Sequence, residues 1–283
     1  MVVQRKISVY LIFLITGLIL GIVAIFFLYA FNWALIIDTY QTHEGALGVV
    51  IVIGIRIIIV SLMTIYTFYS WFKQEKQYFS DMPFLFGNFF LLLVFGKLLD
   101  LFGDFSYNQN EELNFIVLKV RYFIAIFDLL PMIYLSIYMI LISLSLNEKY
   151  KKYTDEKLLN KIKIRILILI LMIEIIAGII IPTIEILSLI YPIIVIPSLI
   201  TIAWLFYFAW RNQRLSQVNT YILMIGFSLY LISSILRLLI QIIIGESPLF
   251  VIIAESIDVL IFIIMFIGFY KESDYSAQEQ QNI

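Results

Sequence analysis

The 283 residues of this chain are 63% hydrophobic and only 14% charged, and their mean hydropathy is +1.02, which excludes an ordinary water-exposed surface. Nineteen Lys and Arg are balanced by 20 Asp and Glu, so the chain has no excess positive charge for nucleic acid, and nucleic-acid binding is excluded. The absence of cysteine and the single histidine, His43, leave neither thiolate chemistry nor a metal site built on Cys or His. No cofactor is predicted.

Eight apolar segments are long enough to cross a membrane, because a hydrocarbon core of about 30 Å needs about 20 helical residues. In chain order they are 8–31, 46–71, 82–102, 115–146, 164–182, 192–210, 219–244 and 250–270. They predict an all-α, polytopic transmembrane helix bundle of about eight spans, a single domain over 1–270 with a short cytoplasmic tail over 271–283. We treat 183–191 as a connection, although its apolar sequence also allows it to prolong the fifth helix beyond a kink at Pro182.

The positive charges next to the spans all fall on one side. They are Arg5 and Lys6, Lys73 and Lys76, the segment Lys149–Arg165, Arg211 and Arg214, and Lys271. The opposite connections, near 32–45, 103–114, 183–191 and 245–249, contain no Lys or Arg. Because cytoplasmic flanks carry positive charge, we predict a multi-pass protein of the cell membrane with both termini in the cytoplasm. Any output would pass to a cytoplasmic or membrane partner protein through Lys149–Arg165 or the tail.

Ionisable residues inside the spans are the most informative feature of the sequence. Five are basic and five are acidic: Arg56, Lys97, Lys119, Arg121, Arg237, Asp100, Asp128, Glu174, Glu255 and Asp258. Each charge at mid-bilayer costs about 2.5–3.5 kcal/mol, and a net stability of about 5–15 kcal/mol could not carry so many isolated charges. We therefore expect most of them to be paired, neutralised or hydrated. Arg56, Asp128 and Glu174 are expected near the midplane, and the others in the outer half.

Depth along the helices predicts one specific bridge. Arg237 and Asp258 lie about 10–12 Å below the outer ends of the seventh and eighth spans. The short 245–249 turn makes these two helices neighbours. Gln241 and Glu255 fall one turn higher on the same two faces. We predict that Arg237 forms a bridge to Asp258 and Glu255.

The third and fourth spans also carry charges on shared faces. Lys97 and Asp100 share a face of the third span, and Arg121 and Asp128 share a face of the fourth. The position of Lys97 near the outer end of its span matches that of Arg237 in the seventh. This match predicts a weak repeat of four plus four helices, with halves of about 1–146 and 164–270.

The intramembrane polar residues allow two interpretations. They are candidates for ligand binding or for an ion-pair network: Arg56, Lys97, Asp100, Arg121, Asp128, Glu174, Arg237, Gln241, Glu255 and Asp258. As a pocket opening outward, they would receive a small polar or anionic ligand on the three arginines, in a non-enzymatic sensor or binding component. As a balanced network they would only fix helix packing. The alternative function is a secondary transporter in which Glu174, Asp128 or Asp258 carries a proton or cation.

Two stretches resemble known membrane-protein families. Asp100-Leu-Phe-Gly-Asp104 resembles one aspartate-rich motif of intramembrane aromatic prenyltransferases, which implies a magnesium-dependent transferase. The second motif of that family is missing, and this one is predicted on the outer side, whereas that family works from the cytoplasmic side.

The stretch from Phe86 to Leu141, with Arg121-Tyr122 followed by Pro131, is similar to a helix pair in the membrane sensor regions of some prokaryotic histidine kinases. That resemblance implies a sensor-like membrane domain without a kinase, whose output passes to another protein.

Overall fold

Helices account for nearly all of the described chain. The computed structural model describes residues 2–106, 110–145, 155–244 and 247–272, and these ranges contain nine helices and no strand. In chain order the helices are α1 (Val2–Phe31), α2 (Trp33–Thr42), α3 (Ala46–Phe72), α4 (Met82–Ser106), α5 (Glu111–Ser145), α6 (Glu156–Ile180), α7 (Ile184–Arg211), α8 (Thr220–Ile244) and α9 (Pro248–Tyr270). The prediction of an all-α polytopic bundle is confirmed.

Seven of the described helices are long and apolar enough to cross a membrane: α1, α3, α4, α5, α7, α8 and α9. Each coincides with a predicted span. The remaining predicted span, 164–182, corresponds to α6. This helix is long enough to cross a membrane, but its last 18 residues include the charged residues Lys163, Arg165 and Glu174, so it is less apolar than the other seven. Of the two segments through which we expected any output to pass, Lys149–Arg165 and the tail, residues 149–154 and 273–283 lie outside the described residues.

The structure corrects two predicted connections. Within 32–45 the chain forms α2, and the hydroxyl of Thr39 donates a hydrogen bond to the carbonyl oxygen of Phe105 at 2.9 Å, which links this helix to α4. The segment 183–191 neither connects two helices nor prolongs the fifth span. It is the first part of α7, which begins after Thr183, whose side chain accepts from the backbone N–H of Ile186, and continues through Pro192.

Six helices form a closed ring of neighbours. Along it α3 packs against α4, α4 against α5, α5 against α7, α7 against α8, α8 against α9, and α9 against α3. Outside this ring α6 packs against α5, whereas α1 and α2 pack against α4. In the span Leu14–Phe31 of α1 no residue is buried, so that helix is peripheral.

An aromatic core fills the half of the ring near the predicted cytoplasmic side. Phe86 and Phe89 of α4, Phe206 of α7 and Phe227 of α8 are fully buried there, and the rings of Phe206 and Phe227 stack at 5.2 Å. The helices approach closely at Gly268 of α9, where a Cβ atom would lie 2.9 Å from the backbone nitrogen of Leu223. Because apolar side chains fill this half of the ring, the intramembrane charges lie in the opposite half.

Candidate functional site

The site is centred on the carboxylate of Glu255, which is 1% exposed. Its Oε1 atom accepts from Lys97 Nζ at 2.8 Å and from Arg237 Nη1 at 2.9 Å, and its Oε2 atom accepts from Arg56. These cations come from α4, α8 and α3. One carboxylate of α9 therefore joins three other helices of the ring.

Asp258, one turn further along α9, binds two of the same cations. Its Oδ2 atom accepts from Arg56 Nη1 at 3.0 Å and from Arg237 Nη2 at 2.7 Å. Its Oδ1 atom accepts from the hydroxyl of Ser233 at 2.9 Å, and the guanidinium of Arg56 lies 5.0 Å from the ring centre of Phe262. The predicted bridge from Arg237 to Asp258 and Glu255 is present, and the two arginines each span both carboxylates.

A second branch leads from Lys97 across α4 to α5. Lys97 Nζ lies 3.5 Å from Asp100 Oδ2, and Arg121 Nε donates to Asp100 Oδ1 at 2.8 Å. The Nη1 atom of Arg121 is 4.0 Å from Asp128 Oδ2, near enough for an ion pair, but this buried nitrogen has no hydrogen-bond partner among the described residues. Tyr191 of α7 faces the same guanidinium, with its ring centre 6.0 Å away. All six ring helices thus contribute to the site.

We call these eight ion-paired residues the charge network: Arg56, Lys97, Asp100, Arg121, Asp128, Arg237, Glu255 and Asp258. Their four cations and four carboxylates balance when all are ionised. Six of the side chains are 14% exposed or less, whereas Asp100 is 29% and Arg237 31% exposed. Most of the network is therefore buried, and it is accessible at Asp100 and at Arg237.

Arg56 lies at the same level as Asp258. We expected Arg56 near the midplane and Asp258 in the outer half, but the two side chains form an ion pair. Arg56 is ten residues from the start of α3, and Asp258 is ten residues from the start of α9. Equal distances along neighbouring helices place the two side chains at one level.

Gly96 of α4 makes room for the Arg121 guanidinium. A Cβ atom at this position would lie 2.9 Å from Arg121 Cζ and 3.0 Å from its Nη1. The charged group therefore lies directly on the α4 backbone, one turn from its acceptor Asp100. This contact was not predicted, because the glycine carries no polar group that would reveal it.

Ser233 is a further residue of the site that the sequence did not reveal. Its hydroxyl donates to Asp258 instead of the carbonyl of a preceding turn, the bond that serine makes most often inside helices. The available signal was its spacing of four residues from Arg237, which puts both side chains on one face of α8. Gln241 lies on the same helix, but its side chain is outside the described part of the structure.

Glu174 is not part of the charge network. Its side chain lines a cavity of about 540 Å³ between α5, α6 and α7. Among the described residues its carboxyl group has neither an ion pair nor a hydrogen bond, although its backbone oxygen accepts from the Tyr122 hydroxyl at 3.0 Å. The structure thus separates two polar sites within the membrane, one self-neutralised and one with a single carboxyl group.

Asp100 and Asp104 do not resemble a magnesium site. Asp100 is already bound by Arg121 and Lys97, so a divalent ion would have to displace both cations. Over the part of the chain that the structure describes, no group of three or more His, Asp or Glu side chains is placed to hold a metal ion.

Comparisons with protein-family profiles, curated proteins and solved structures find no match to this chain. Function is therefore inferred from the geometry.

Proposed function

We propose that this integral membrane protein is a non-enzymatic sensor or binding component whose charge network receives a small anionic or zwitterionic ligand from the extracytoplasmic side. The observation that carries the proposal is Arg121 Nη1, a buried charged donor beside Asp128 for which the described residues supply no hydrogen-bond partner. An unsatisfied buried donor is costly, and a ligand carboxylate or phosphate would satisfy it. The partial exposure of Asp100, the other acceptor near Arg121, supports entry from that end.

Ligand binding would be transmitted through helix packing. Arg121 and Lys97 share the carboxylate of Asp100, and Lys97 also binds Glu255. An incoming anion that draws Arg121 away from Asp100 would change the charge balance at Lys97 and then at Glu255. In the cell membrane, with both termini cytoplasmic, such repacking would alter the surface offered to a partner protein. This is how a network that also stabilises the fold can report on its occupancy.

The test uses the protein in lipid nanodiscs with acetate, inorganic phosphate and glycine as probes. A ligand that binds only the folded state raises the free energy of unfolding by about 2.7 kcal/mol at a hundredfold excess over Kd. We expect at least one probe to raise the thermal midpoint and Arg121→Lys to abolish that rise, because lysine keeps the charge but not the forked donors. Lys119→Gln, which removes a nearby charge outside the network, should keep the rise. No rise with any probe, or an equal rise in Arg121→Lys, contradicts the proposal.

Secondary transport is the second proposal, and the isolated carboxyl group of Glu174 favours it. A group that carries a proton across a membrane must be able to lose its charge, and the described residues supply no counter-ion that holds the charge of Glu174 in place. A pH-sensitive dye enclosed in proteoliposomes would report proton flux after an imposed gradient. Flux that is lost in Glu174→Gln would favour transport, whereas flux equal to that of empty liposomes would contradict it.

A further inference from the structure

The cavity beside Glu174 opens to the lipid-facing surface of the bundle. It lies between α5, α6 and α7, and its lining includes Ile173 and Ile193, which are 61% and 68% exposed. In a membrane these side chains face hydrocarbon. A molecule dissolved in the bilayer can therefore reach this groove without passing through water.

The groove is apolar along its length and polar at one end. The lining residues of α6 run from Ile166 to Glu174, which is about 12 Å of helix, and Glu174 is the one nearest the predicted outer end. Ile170 of α6 lies between them, and Ile137 of α5 also lines the groove. The shape is a slot for an alkyl chain with a carboxyl group at its outer end.

Glu174 is the polar group of the groove for which the described residues supply no partner. The hydroxyls of Ser198 and Thr201 also line it, but they donate to the carbonyl oxygens of Ile194 and Pro197 at 2.8 Å. The Glu174 side chain is 9% exposed and, among the described residues, has no hydrogen-bond donor or cation beside it. A carboxylate without a partner in an apolar slot is costly, so it either takes up a proton or is balanced by a positive charge that a ligand brings.

We propose that this groove binds a single-chain amphiphile with an ammonium headgroup, its alkyl chain along Ile170 and Ile137 and its ammonium on the Glu174 carboxylate. The charge of the slot selects the headgroup: a carboxylate accepts charge-assisted hydrogen bonds from an ammonium and repels an anionic head. The site is separate from the charge network and does not depend on the function proposed for it.

The experiment measures binding of decylammonium, decanol and decanoate to the protein in nanodiscs, with empty nanodiscs subtracted. Wild type should bind decylammonium most tightly. Glu174→Gln should weaken decylammonium binding on the order of tenfold or more, because a charge-assisted pair is lost, and should leave decanol binding unchanged. The substitution preserves the fold's own contact, since Tyr122 donates to the backbone oxygen of residue 174.

Three further variants locate the site. Ile170→Trp should fill the slot and weaken both decylammonium and decanol. Glu185→Gln, which removes an exposed carboxylate of α7, should leave both unchanged. Arg121→Lys should also leave both unchanged, which separates this site from the charge network. Equal decylammonium binding by wild type and Glu174→Gln, or undiminished binding by Ile170→Trp, overturns the proposal.

Discussion

Replacing Glu255 by glutamine should destabilise the bundle more than any other neutralisation of a single carboxylate in this chain. The substitution removes one charge and keeps the volume, but Lys97, Arg237 and Arg56 lose their shared anion at a position that is 1% exposed. Removing one partner of a buried ion pair costs about 3–5 kcal/mol, because the remaining charge stays buried. Against a net stability of about 5–15 kcal/mol, this is a large fraction.

Glu174→Gln is the matched control with the opposite expectation. It is the same substitution inside a predicted span, but it breaks no ion pair among the described residues, and it replaces a carboxyl group that has no partner there by a neutral amide. Its free energy of unfolding should therefore be within about 0.5 kcal/mol of wild type or higher. A third protein, Glu255→Gln with Lys97→Met, should recover part of the loss by removing one stranded cation, and in a double-mutant cycle such coupling is about 0.5–3 kcal/mol.

The free energies can be obtained by equilibrium unfolding with sodium dodecyl sulfate in mixed micelles, followed by tryptophan fluorescence. The reasoning is refuted if Glu255→Gln and Glu174→Gln lose the same stability within about 0.5 kcal/mol, a difference too small for a buried charge pair. It is also refuted if Lys97→Met adds its full cost to that of Glu255→Gln, since the two side chains would then not be coupled.

Two other predictions concern a glycine contact and the orientation of the chain. Gly96→Ala should lower the free energy of unfolding by about 1–3 kcal/mol, because the added methyl group displaces the Arg121 guanidinium. Gly54→Ala, with nothing within 4 Å of the added atom, should be neutral or slightly stabilising in the same unfolding assay. Because the chain has no cysteine, Glu44→Cys and Ser80→Cys, exposed at opposite ends of α3, can be labelled singly in intact cells. A membrane-impermeant maleimide should label Glu44→Cys only, and labelling of Ser80→Cys alone would reverse the predicted topology.

The number and limits of the long helices could be predicted, because hydropathy reports the length of a span directly. The start of α7 was misplaced by eight residues, since 183–191 was taken as a connection and Pro192 as the start of the span, whereas the structure continues the helix through this proline. Inside a bundle such a proline is tolerated, because the freed carbonyl finds other donors or lies among packed helices. The short α2 was missed because ten residues are too few to produce a span signal.

Part of the charge network could be derived from the sequence for a simple geometric reason. Arg237 and Asp258 lie on consecutive helices joined by a short turn, so counting residues from the turn gives their depth. Arg56 and Glu255 are 199 positions apart, and they meet because α3 and α9 are neighbours in the ring. Hydropathy gives the depth of each residue but not the order of helices around the ring, so this pairing could not be derived.

Glu174 shows the same limit of depth estimates, because its depth did not reveal that it lies outside the ring. Its depth was consistent with that of Arg56 and Asp128, and the sequence grouped the three residues near the midplane. The structure separates Glu174 because α6 packs outside the ring against α5. A depth estimate cannot distinguish a side chain inside the ring from one on its outer surface, so membership of the network required the coordinates.

The distance along the chain between Arg56 and its counter-ions has a consequence for biogenesis. Arg56 is ion-paired only with Glu255 and Asp258 within the network, and α9, which carries both, is synthesised long after α3. Until then a lone guanidinium on α3 would be unfavourable in lipid, so we expect the nascent helix to be retained at the translocon or by a chaperone. Release of α3 into the bilayer would then occur only after α9 is synthesised, so truncated chains that lack α9 would be retained.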